Sequence, residues 1–177
     1  MTRSDGRHSD INSLNSSRDE LRAASDIIRS MIEEWSRYLF LAGALPFVIL
    51  GFAHAYSTPT HLDVPRGLSP SEVELARAMS RTRLRLTART DMWRAWMGFN
   101  FSHSLGVLLL GAVVLVIGRG TKSFEAEGRI FVPLLVFVSA LYLLLAIKYW
   151  FRTPVVACAL SIVLFLGSWV LLILSRQ

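Results

Sequence analysis

Residues 93–117 read WRAWMGFNFSHSLGVLLLGAVVLVI. From Leu105 on, the stretch is almost wholly aliphatic. As a helix it is long enough to cross a hydrocarbon layer of about 30 Å. Its first half carries Asn100, Ser102, His103 and Ser104. Such groups are costly in lipid, and where they occur they face a partner or a cavity. The stretch reads as a membrane span with one polar end, and that reading decides the fold.

Similar apolar runs lie on either side. The expected architecture is an all-α integral membrane four-helix bundle, with spans at about 38–56, 93–117, 130–147 and 154–174 in a transmembrane domain covering 37–177. The totals agree: 53% of the 177 residues are hydrophobic, as befits a chain that lives in a bilayer. The formal charge of +6 is spread along the chain as arginine. That pattern fits loops near headgroups and argues against a nucleic-acid arm. The single cysteine, Cys158, excludes an internal disulfide and C-x-x-C redox chemistry. Residues 1–34 contain no signal-peptide apolar core, so the first span is expected to serve as the membrane address.

Ahead of span one, residues 1–16 read as a disordered polar tail. Ser17 and Glu20 form a capping box for an amphipathic helix over 17–36, with Leu21, Ile28, Met31 and Trp35 on one stripe. This helix either lies on the membrane surface or runs directly into the span. Within span one, Pro46 predicts a kink, and Gly43 and Gly51 allow close helix approach. The connection after it is long. Ser69 and Pro70 predict a helix start there, giving an amphipathic loop helix over about 70–89. Arg77, Arg81, Arg85 and Arg89 would share one face of it. They would either snorkel to headgroups or form a lid or an anion-binding rim. A polar loop from Gly118 to Arg129 joins spans two and three. The last two spans form a tight hairpin.

Counting crossings gives a parity argument. Span one ends where span two begins, span three ends and span four begins. His54, the loop residue His61, Trp93, Trp96, Asn100, Ser102, His103, Ser104, Lys148, Tyr149, Trp150 and Cys158 therefore gather at one side of the membrane, side A. At about 100° per residue, Gly98, Ser102 and Gly106 share a face of span two and form a small-residue packing surface. Asn100 and His103 occupy roughly the opposite face. Tyr142 and Tyr149 lie on one stripe of span three with Ser139. The expected arrangement buries the small side. It turns Asn100 and His103 either to a side A cavity or to neighbouring helices as hydrogen-bonding glue.

The chemistry this permits is narrow. His54, His61 and His103 are the candidate metal ligands, and His54 with His103 the candidate haem pair, though no H-E-x-x-H spacing is present. Ser102 and Ser104 flank His103 but point away from it on a helix, and no G-x-S-x-G elbow occurs. Cys158 reads as a buried thiol or, beside Lys148 or Arg152, as a nucleophile. No mid-membrane carboxylate suits a proton-coupled transporter.

The run Trp93–Gly106 resembles the hallmark of a family of small uncharacterised bacterial proteins with four transmembrane helices. Ala78-Met79 before it, and Tyr149-Trp150-Phe151 with Pro154 after it, resemble that family too. The likeness spans roughly Tyr38 to Leu174. It implies a membrane location, with Trp93, Trp96, Asn100, Ser102, His103 and Ser104 as signature positions, and brings no activity with it. The expected protein is a multi-pass inner or plasma membrane protein, its ends cytoplasmic. Its partners are the lipid bilayer and either further copies of itself or a membrane subunit. It binds a small hydrophobic or lipid-like ligand or that subunit through His54, Trp93, Trp96, Asn100, Ser102, His103, Ser104, Tyr142 and Tyr149. The alternative is a haem- or metal-dependent redox protein built on His54 and His103.

Overall fold

The computed structural model describes residues 5–176, with side chains from residue 15 on apart from 121–123 and 125. Five helices account for nearly all of it: α1 (Asp5–Ser57), α2 (Val73–Arg81), α3 (Met92–Arg119), α4 (Thr121–Tyr149) and α5 (Arg152–Leu174). All but α2 contain a window long and apolar enough to cross a membrane. Among the described residues there is no sheet, only an isolated bridge between Arg83 and Asp91.

α1 packs along α3 on one side and α5 on the other, and α5 also carries α4. α3 and α4 touch each other only sparsely. The core is a column of side chains at these seams, including Phe40, Ala44, Phe47, Val114, Val132 and Phe165. In a bilayer, whose tails are as apolar as leucine, close contact and hydrogen bonds would have to hold such a column together. Two glycines show how close the contact is. A Cβ on Gly43 would sit 2.5 Å from the Phe165 ring, and one on Gly111 2.5 Å from Val48 Cγ2. At the end of the bundle away from Trp150, Ser36 Oγ donates to the Ser168 carbonyl at 2.7 Å. Arg37 there donates to the Gly118 carbonyl at 3.2 Å, occupying an acceptor at the end of α3.

Several boundaries differ from the sequence expectation. The helix over 17–36 takes the second of its two expected courses and runs directly into span one, and the helix extends back to Asp5, into the stretch expected as a disordered tail. No proline or glycine interrupts the chain between Arg7 and Gly43, so nothing ends the helix once it has started. The Ser17 capping box is therefore internal to a helix. Pro46 also lies inside unbroken α1.

The loop helix is shorter than predicted, ending at Arg81 rather than about 89. Ser69 does not cap it: its hydroxyl accepts from Arg66 N–H, and Glu72 holds the N-cap position. The chain then turns back on itself, with Met92 N–H donating to the Thr82 carbonyl. Arg85 and Arg89 leave the helix, so the four-arginine face does not form. Finally, the predicted loop 118–129 shrinks to Gly120, because α4 begins at Thr121. Phe124, buried against Phe40 with ring centroids 5.1 Å apart, draws this segment into the helix.

Candidate functional site

The seam residues of α3 are Trp93, Asn100, Ser104, Val107, Gly111 and Val114. Their three- and four-residue spacing is that of one helical stripe. Gly98 and Gly106 have nothing within 4 Å of a built Cβ, and Ser102 is exposed, its hydroxyl turned back to the Phe99 carbonyl. The small-residue face therefore points away from the bundle, the reverse of the expected arrangement. Asn100 rather than Gly98 faces α1 because its amide has a partner there. In an apolar medium an unpaired amide costs more than the contact a glycine would gain.

That partner is His54. Its Nε2 lies 2.9 Å from Asn100 Oδ1, while Asn100 Nδ2 donates to the Trp96 carbonyl at 2.8 Å. The second bond fixes the amide orientation. Neutral His54 therefore carries its proton on Nε2 and keeps Nδ1 as an acceptor. The His54 ring meets His103 edge to face at 5.1 Å and Trp150 at 5.2 Å. His103 stacks on Phe99, one turn earlier, and touches Tyr142 at 5.9 Å. Among the described residues neither of its ring nitrogens has a hydrogen-bond partner. Ends of α1, α3 and α4 thus meet at side A, with the imidazole of span two on the same side as Trp150.

Asn100→Ala is expected to cost about 1–2 kcal/mol, because the His54 donor would be left unpaired between helices. Pairing it with His54→Ala in a double-mutant cycle should give a coupling of roughly 0.6–1.7 kcal/mol in denaturant unfolding. Strict additivity of the two would show that the bond contributes nothing.

Beside these rings lies a cavity of about 570 Å3. Its walls are mostly apolar, from Phe47, Leu50, Val107, Leu145 and others, and Leu68 of the loop covers part of it. His54, His103, Ser104, Tyr142 and Tyr149 line it; Asn100 stands behind His54. No lysine, arginine, aspartate or glutamate is among the lining residues. Phe99, Leu145 and Tyr149 line it while remaining 65%, 51% and 66% exposed. The cavity is therefore open on the side where α3 and α4 part.

Trp93, Trp96 and Ser102 are not in this wall. Trp93 lies against a smaller recess of about 220 Å3 under α2 and its loop, with Trp96 beside it at 5.4 Å. His61 is exposed in the loop, apart from the other two histidines' cavity. Among the described residues no three His, Cys, Asp or Glu side chains gather as a metal-ligand set. The haem pairing does not fit either. Axial histidines need a macrocycle's gap between them, whereas these two rings touch and His54 Nε2 is spent on Asn100. Trp150, expected at side A but not named as a pocket residue, and Phe99, not singled out at all, both belong to the site. Phe99 stands one turn before His103, and that spacing was the available signal.

No family model, curated protein or solved structure matches the chain. What defines its class is the geometry: a helical protein with four candidate membrane spans and a side-opening cavity at one end.

Proposed function

We propose that this is a multi-pass membrane protein that takes up an amphiphile from the surrounding bilayer, one with an apolar chain and an uncharged hydrogen-bonding head. The observation that carries the reading is the cavity of about 570 Å3, apolar-walled and free of fixed charge, with two imidazoles beside it. Its size is that of small-molecule sites, and its few convergent polar groups suit orientation of a head. Tyr142, Tyr149 and Ser104 offer further hydroxyls.

The test uses purified protein in nanodiscs, with monoolein as the neutral probe and oleate as the charged one. Monoolein is expected to bind more tightly. His103→Ala should weaken it about tenfold, the effect of one lost hydrogen bond. Tighter binding of oleate, or an indifferent His103→Ala, would sink the assignment.

A further inference from the structure

The first part of α1 stands apart from the bundle. Every residue from Asn15 to Met31 is exposed, although this segment carries large apolar side chains. Leu21 is 71% and Ile28 58% exposed, and Ile27 and Met31 are more than half exposed. If α1 crosses a bilayer, as proposed above, its unbroken course into the span holds this arm off the headgroups. A helix that enters the membrane steeply cannot also lie flat upon it. Nor is the arm's charge suited to an anionic surface. Between Asn15 and Arg37 it carries five acidic residues against four arginines, whereas surface helices of that kind are rich in lysine and arginine.

The apolar positions keep a seven-residue repeat. Leu21, Ile28 and Trp35 fall at a, and Ala24, Met31 and Tyr38 at d. Charges avoid that seam: Asp19, Asp26 and Glu33 fall at f, Arg22 and Arg29 at b. The same register continues through the span. Leu45, Ile49, Phe52 and Tyr56, at later a and d positions, are exposed there, and Ala42, the first a position of the span, is half-buried. The residues α1 presents to α3 and α5, such as Ser36, Phe40, Gly43 and Phe47, fall at b and f. From Leu21 to Tyr56 one seam therefore follows the face of α1 that its own bundle leaves largely uncovered. The roughly 20° drift per heptad is what a left-handed supercoil absorbs.

We propose that a second copy of this chain covers that seam, the two α1 arms pairing as a parallel coiled coil. This rests on the membrane reading. The membrane also supplies direction and register: copies inserted alike emerge alike, with each Trp35 at one depth and each Leu21 facing its counterpart. Arms of nearly balanced charge pair without the repulsion a basic arm would meet.

The experiment is disulfide cross-linking in liposomes of phosphatidylcholine and phosphatidylglycerol, with copper phenanthroline as oxidant. The native chain is the blank, since its one cysteine, Cys158, is buried. Leu21→Cys, Ala24→Cys and Ile28→Cys should cross-link at least about tenfold faster than Arg22→Cys, Asp26→Cys and Arg29→Cys, because only seam positions bring Cβ atoms within disulfide reach. In nanodiscs, light scattering should show a multiple of the 19.9 kDa chain that falls to one copy in the L21E/I28E variant. Both residues lie outside the bundle, so failure to fold is separable by helical circular dichroism. Equal rates at all six positions, no cross-linking, or a single copy in the native protein would overturn the pairing. An arm laid on lipid or held by a different protein gives those same results. Alkaline carbonate extraction tests the membrane reading by itself: release into the supernatant sinks that reading, and retention without cross-linking sinks only the coiled coil.

Discussion

Gly43→Ala is expected to lose about 2 kcal/mol of stability, whereas Gly98→Ala should be neutral or gain up to about 1 kcal/mol. The two substitutions are chemically identical and both fall inside long helices, so helix propensity favours alanine equally at each. They differ in what the new methyl meets. At Gly43 it would come within 2.5–2.9 Å of three carbons of the Phe165 ring. That ring is fully buried against Phe40 and cannot swing away. Either α1 and α5 separate or the ring leaves its rotamer, and overpacking of this kind costs roughly 1–3 kcal/mol. At Gly98 nothing lies within 4 Å. Equilibrium unfolding in mixed micelles, followed by circular dichroism, reads both. Losses of the same size at the two positions would place the small face of α3 in a seam after all.

Filling the cavity should abolish binding without harming the fold. Ala146 is 4% exposed and lines the cavity from α4. In Ala146→Phe the ring is expected to project into the cavity that Ala146 lines. Cavity filling is commonly neutral or stabilising by about 0.5–2 kcal/mol. Monoolein binding should fall by at least about a hundredfold, since a ring excludes the chain outright rather than weakening one bond. Ala112→Phe is the matched control: Ala112 is exposed on α3 and outside the cavity wall, so binding there should be unchanged. Full binding by Ala146→Phe would mean the probe sits elsewhere.

The number of candidate spans was legible because length and hydropathy alone set it. So was the company of His54, His103 and Trp150, because parity requires only that count. Which face of α3 turns inward was not. A soluble helix announces its buried face by hydrophobicity; in lipid, Leu105 and Val107 are equally welcome on either side. Gly98, Ser102 and Gly106 look like a seam, but so does the stripe through Ser104 and Gly111, and the polar partner of Asn100 decides between them. That partner lies 46 positions earlier on another helix, beyond any periodicity. The arginine face failed for a different reason. Spacing of four residues marks a helix only if the helix continues, and the backbone pairing at Thr82 and Met92 stops it. Gly120 replaced an expected loop because the buried ring of Phe124 outweighed the polar residues around it.

Gly120 has a mechanical meaning. It alone links α3 to α4, at the far end of the molecule from the cavity, and along its length α4 is held chiefly by α5. At its other end α4 is tied to α5 through Trp150 and Phe151 alone. With 29 residues it measures about 43 Å, so the spacing of α3 and α4 beside Tyr149 is set by how α5 sits on α1 rather than by contact between α3 and α4 themselves.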